Sequence, residues 1–89
     1  MKNTLEHIRN LIALGKLGNA LAVLAEYLVD KDRELYIHAL AQQANLAACQ
    51  RKARLGLISL EEEFRFQNNF CVAILQLVDD AELLEKPAA

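Results

Sequence analysis

The segment Arg54–Leu77, RLGLISLEEEFRFQNNFCVAILQL, constrains the fold more than any other part of the chain. Gly56 closes one helical segment there, and Ser59 opens another with Glu62 three residues later. Ser-x-x-Glu is a capping box: the serine oxygen accepts from a free amide of the first turn, and the glutamate accepts from the serine's own amide. The run that follows repeats apolar residues at three- and four-residue spacing. This predicts a turn joining two long antiparallel helices, against which the upstream half of the chain packs.

No strand competes with that reading. Apolar residues make up 54% of the 89, and they are mostly Leu and Ala, which favour helix. With three Gly and one Pro there is little material for tight hairpins, and no alternating run occurs. The fold class is all-α: a compact bundle of four helices at about 4–14, 18–29, 33–55 and 60–84, the last two forming a long antiparallel hairpin. Residues 1–86 are expected to make one helical interaction domain, a length near the lower end of what folds alone, with 87–89 a short frayed tail.

In the first helix Leu5, Ile8, Leu11 and Ile12 make an inward stripe, Glu6, Arg9 and Asn10 lie outside, and Asn3 or Thr4 caps the start. Gly15 stands where a left-handed C-cap belongs. The second helix, opened by Gly18 or Asn19 with Leu17 as a staple, is apolar nearly all round. It therefore needs more than one neighbour. Asp30 or Asp32 caps the third, whose polar residues His38, Gln42, Asn45 and Lys52 predict one solvent line with the rest of 35–49 turned inward. On the fourth, Leu60, Phe64, Gln67, Cys71, Ile74 and Val78 line the inner face, widened by Phe66, Phe70, Ala73 and Leu77.

These residues hold no catalytic, cofactor or metal constellation. Ser59, the sole serine, is explained by its cap, and Glu61, Glu62 and Glu63 by the positive end of a helix dipole. His7 and His38 fall on outer faces of different helices, without a Cys or carboxylate at ligand spacing. Gly15 and Gly18 flank Lys16, but no phosphate-binding motif surrounds them. Cys49 and Cys71 lack a CxxC arrangement. Folding the hairpin about Leu57–Ile58 offsets them by roughly 7 Å along the axis, on helices about 8–10 Å apart, so they read as buried reduced thiols. No leader and no apolar run of about 20 residues is visible, and the expected location is cytoplasmic, without a membrane.

The net charge of −2 argues against nucleic acid as a partner, yet charge is unevenly spread. Residues 1–60 carry eight Lys/Arg against five Asp/Glu, and residues 61–89 carry two against seven. Arg51, Lys52 and Arg54 crowd the end of the third helix, while Asp79, Asp80, Glu82 and Glu85 crowd the end of the fourth. A pairing between copies, with the basic cluster of one meeting the acidic set of another, is the sharpest use of that split. The segment ALGKLGNALAVLAEYL is similar to half of a tetratricopeptide unit, but an array needs about three copies and one is present.

Taken together, Ile8, Leu11 and Ile12, then Gly15-Lys16-Leu17 with Ala20-Leu21 and Leu24, then Gly56-Leu57-Ile58-Ser59 with Glu61-Glu62, then Asn68 with Ala73-Ile74-Leu75 and Leu77 carry a resemblance across most of the chain. The sequence resembles the effector-associated domains of bacterial conflict systems, most closely the eleventh type. It departs from that pattern at Asn69, where the family favours arginine. The resemblance implies a non-enzymatic, death-fold-like adaptor that recruits an effector, a protease or an NTPase sensor, through a homotypic contact with another copy of the domain. The alternative for the same apolar excess is an obligate homodimeric structural module with no recruitment role.

Overall fold

The computed structural model describes residues 3–85, which form α1 (Asn3–Ala13), α2 (Leu17–Leu28), α3 (Arg33–Arg54) and α4 (Leu60–Glu85). The expected bounds of 4–14, 18–29, 33–55 and 60–84 differ from these by at most one residue at either end. The expected tail at 87–89 lies outside the described residues.

Local chemistry sets the helix ends. Gly15 and Gly56 adopt φ of 79° and 73°, a region open to glycine at little steric cost. Beyond α1, the Gly15 amide donates to Ile12 O (2.9 Å) and that of Lys16 to Leu11 O (2.8 Å). Beyond α3, Gly56 donates to Ala53 O (3.1 Å) and Leu57 to Lys52 O (2.9 Å), so both ends are Schellman motifs. Of the two candidate caps for α3 it is Asp32 whose Oδ1 accepts from the Leu35 amide at 2.9 Å. The capping box of α4 is complete: Ser59 Oγ accepts from the Glu62 amide (3.1 Å), and Glu62 Oε1 accepts from the Ser59 amide (3.0 Å).

Two starts differ from expectation. Asn3 and Thr4 lie inside α1 as its first two residues. At α2 the cap position is Lys16, without a side-chain cap, and Leu17 is a buried first residue of the helix rather than a staple before it.

α2 is central. It packs against α1, α3 and α4, whereas among the described residues the backbones of α1 and α3 do not approach closely. Its Leu17, Ala20, Leu21, Leu24, Ala25 and Leu28 are buried, as a helix apolar nearly all round requires. α1 adds Leu5, Ile8 and Ile12, with Leu11 at the edge; α4 adds Ile74, Leu77, Val78 and Ala81. From α3 come only Ala39 and Leu46. The predicted inward turn of residues 35–49 is therefore corrected. His38, Asn45 and Lys52 are exposed, but Gln42 is half-buried, while Ile37, Leu40, Ala41, Ala44 and Ala47 face solvent. α3 has neighbours on one side only, so its far side stays bare whatever its residues prefer.

Helix length sets the shape. At about 1.5 Å per residue α1 and α2 span about 17 and 18 Å, against about 33 Å for α3 and 39 Å for α4. The short pair covers one half of the hairpin, and the molecule measures 48 × 22 × 19 Å. The edge of the covered half is marked by Gly18, next to the first residue of α2, where an added Cβ would stand 4.0 Å from Leu46 Cδ2. Beyond Leu46 the hairpin continues without α1 or α2.

Core and overhang should answer differently to truncation. Leu24→Ala, at a fully buried site, is expected to cost about 2–5 kcal/mol. Phe64→Ala, on the overhang, should stay within about 0.5 kcal/mol. Urea denaturation of dilute protein followed by circular dichroism measures both, and a large loss at Phe64 would contradict a bare overhang.

Candidate interaction surface

One line of residues at three- and four-residue spacing runs the length of α4: Leu60, Phe64, Gln67, Cys71, Ile74, Val78 and Ala81. Its far end is core, with Ile74, Val78 and Ala81 wholly buried. Cys71 is half-buried, and then the cover stops: Gln67 is exposed, Phe64 58% exposed and Leu60 66% exposed. The spacing predicts the whole line turned inward, Gln67 included. That is corrected, because α1 and α2 are too short to reach Gln67. The same happens on α3, where Ala39, Leu46 and Ala53 lie seven residues apart: the first two are buried and Ala53 is only half-buried. Gln50, Ala53, Arg54 and Glu63 line a shallow hollow between the helices of the overhang.

Cys49 and Cys71 are free thiols, half-buried rather than fully buried as expected, since both sit where the cover ends. His7 and His38 are exposed. Among the described residues no three His, Cys, Asp or Glu side chains gather as a metal-binding group, and no helix is long and apolar enough to cross a membrane.

The charged residues singled out in the sequence lie at opposite ends of the hairpin. Arg51, Lys52 and Arg54 are exposed beside the turn, and among the described residues none forms an ion pair. Glu61, Glu62 and Glu63 begin α4 next to them; the hydrogen bond from the Ser59 amide, then that with the Ser59 hydroxyl, holds the Glu62 carboxyl below its ordinary range.

At the other end the acidic set has partners within the chain. Arg9 Nη2 donates to Glu82 Oε1 at 2.6 Å and to Asp79 Oδ1 at 3.2 Å. The bond to Glu82 is the main reason its guanidinium holds its proton more firmly than usual, against a smaller opposing effect of burial. The Tyr27 hydroxyl donates to Glu85, and Lys31 Nζ lies 4.3 Å from the centre of the Tyr27 ring. Burial, and then Glu85, push the Tyr27 hydroxyl up to about 12. Asp80 alone of the acidic four has no partner among the described residues. The sequence reading missed Arg9 and Tyr27. Arg9 sits 70 and 73 residues from its partners, and no local spacing signals so distant a pair.

The fold and surface define an all-α domain whose conspicuous features are a bare apolar hairpin end and charge divided between its two ends. A family model, effector-associated domain 11, matches residues 3–82, and the chain belongs to that family. No curated protein and no solved structure matches the chain. The family's description suggests an adaptor role beside an effector and a non-catalytic one.

The Tyr27–Glu85 contact makes a pH prediction. A hydroxyl raised from 10.0 to about 12 in the folded chain contributes stability that is complete below pH 10 and is lost as pH rises from there toward 12. Absorbance at 295 nm in a Tyr36→Phe background should show Tyr27 titrating near 12. Glu85→Gln should lower that value only part of the way, because the carboxylate is gone while burial, the larger cause, remains.

Proposed function

We propose that this domain is a cytoplasmic, non-enzymatic adaptor that recruits an effector, a protease or an NTPase sensor, in a bacterial conflict or defence system. It does so by contact with another copy of the same domain carried on that effector. The observation that carries the reading is the α4 line itself, core at Ile74 and bare at Phe64 and Leu60. An apolar stripe that leaves its own core and continues into solvent marks a protein-binding surface. Family membership supports the adaptor role.

The charged part of the recruitment sets Arg51, Lys52 and Arg54 of one copy against the α4 end of another. There Asp80 stands free among the described residues, and Asp79, Glu82 and Glu85 would be shared with Arg9 and Tyr27. Because these two groups occupy opposite ends of the hairpin, that contact is head-to-tail and extends from copy to copy. Exposed charges guide such encounters more than they hold them.

A pull-down between differently tagged copies, with light scattering beside it, tests the reading. Self-binding is expected at low salt. The triple reversal of Arg51, Lys52 and Arg54 to Glu should weaken it about tenfold there and much less at about 1 M salt, where screening acts within about 3 Å. Association indifferent to salt and to the reversal would favour the obligate-dimer alternative. A chain that stays monomeric at high concentration and ignores its own kind would defeat the homotypic reading.

A further inference from the structure

The bare stripe has definite dimensions, and they limit what can cover it. It runs from the α1–α2 turn, where Gly18 meets Leu46, to the hairpin turn at Gly56. That is about 11 residues of α3, or about 16 Å, by two helices about 10 Å apart. One end is closed by a shoulder, the α1–α2 turn with Leu14 69% exposed and Lys16 exposed; the other end is open. A covering piece must be about 16 Å long, two helices wide and apolar on one face, with something apolar at its tip for Leu14. The overhang of a second copy meets all four requirements: its face is Leu60, Phe64 and Ala53, and its tip leucines are Leu55 and Leu57.

Only one orientation fits. Laid parallel, the two copies would bring α1 and α2 of each into the layer that the other's hairpin must fill. Laid antiparallel, about a two-fold axis crossing the hairpins, each overhang occupies the space beyond the other's α2, and each tip abuts the other's shoulder. We infer that two copies of this chain pair antiparallel through the stripe Leu60–Phe64–Gln67–Cys71, Phe64 of each lying against Gln67 of the other and Leu60 against Cys71. The inference deepens the homotypic reading above and rests on it.

Charge agrees with this pairing. The exposed Lys16 at the shoulder receives a tip bearing Glu61 and Glu63, and the two acidic triplets stand at opposite ends of the contact. Arg51 and Lys52 lie off the Ala39–Leu46–Ala53 line and stay free for the head-to-tail contact, while Arg54, which lines the overhang hollow with Glu63, sits within the antiparallel pairing. Size decides how tight the pairing is. A footprint of about 16 by 20 Å, on the order of 300–400 Å² per copy, is about half the 800 Å² per partner of a standard stable interface. The pairing is accordingly weak and reversible, as an exchangeable adaptor contact needs, and too small for an obligate dimer.

Sedimentation velocity on the full chain, up to about 1 mM, tests it. The wild type should dimerise reversibly. Phe64→Asp should raise the dissociation constant at least about tenfold with its helical circular dichroism unchanged, while Ile37→Asp, on the bare far side of α3, leaves it alone. Leu60→Cys should yield a disulfide-linked dimer on mild oxidation that Cys71→Ala abolishes. Positions 60 and 71 of one chain are about 16 Å apart along α4, so that link forms only between copies. Self-association indifferent to Phe64→Asp, or a crosslink that survives Cys71→Ala, would overturn the antiparallel pairing and leave homotypic recruitment standing. A strict monomer would overturn both, and binding of the stripe to a non-homologous segment of an effector would overturn the choice of occupant.

Discussion

The structure depends on a mismatch of lengths. Two helices of 11 and 12 residues are laid on a hairpin whose arms are 22 and 26 residues long. Where all four overlap there is a core, closed around Leu21, Leu24 and Leu28 of α2, and every one of these side chains is fully buried. Where they do not overlap, side chains of the same type on the same helix line meet water. Ile74 and Phe64 differ in which of them has α1 and α2 above it. Hydrophobic burial at about 25 cal/mol per Å² acts only on surface that a neighbour can reach, so the short pair partitions one amphipathic hairpin into a buried half and a bare half.

That partition assigns the two ends of the molecule different work. The α4 end is fastened to α1 and α2 by Arg9 with Asp79 and Glu82, and by Tyr27 with Glu85. Exposed ion pairs contribute about 0–1 kcal/mol each and a hydrogen bond about 0.5–1.5 kcal/mol, so these contacts orient α4 against its neighbours more than they stabilise it. Among the described residues the turn end has no such fastening. Its ordering comes from the Schellman bonds around Gly56 and the capping box at Ser59, which hold the hairpin shut with no help from α1 or α2. A hairpin closed by its own caps thus projects from a packed base with its apolar face already formed, the sense in which a surface is preorganised.

Most of the architecture was legible because it is written locally. Gly15, Gly56, Asp32, Ser59 and Glu62 act on amides within about five residues, and spacing alone reveals them. The need of α2 for several neighbours was legible too, since few of its residues favour water. The inner line of α4 was read with the right residues and the wrong extent. Leu60, Phe64 and Gln67 continue the periodicity of Ile74 and Val78 without a break, and a period carries no information about how far a neighbouring helix reaches. On α3 the alanines misled for a related reason: Ala41, Ala44 and Ala47 tolerate burial and exposure almost equally, so their pattern does not choose a face.

By itself the sequence determined four helices, most of their ends and the antiparallel hairpin, because propensity, capping and turn geometry are settled between residues close in the chain. Only the tertiary structure decided that α1 and α2 stop at Leu46, that Arg9 closes on residues more than sixty positions away, and that half of a continuous apolar line is left uncovered. Those outcomes depend on where whole helices end against one another, a relation between distant segments that no local spacing encodes.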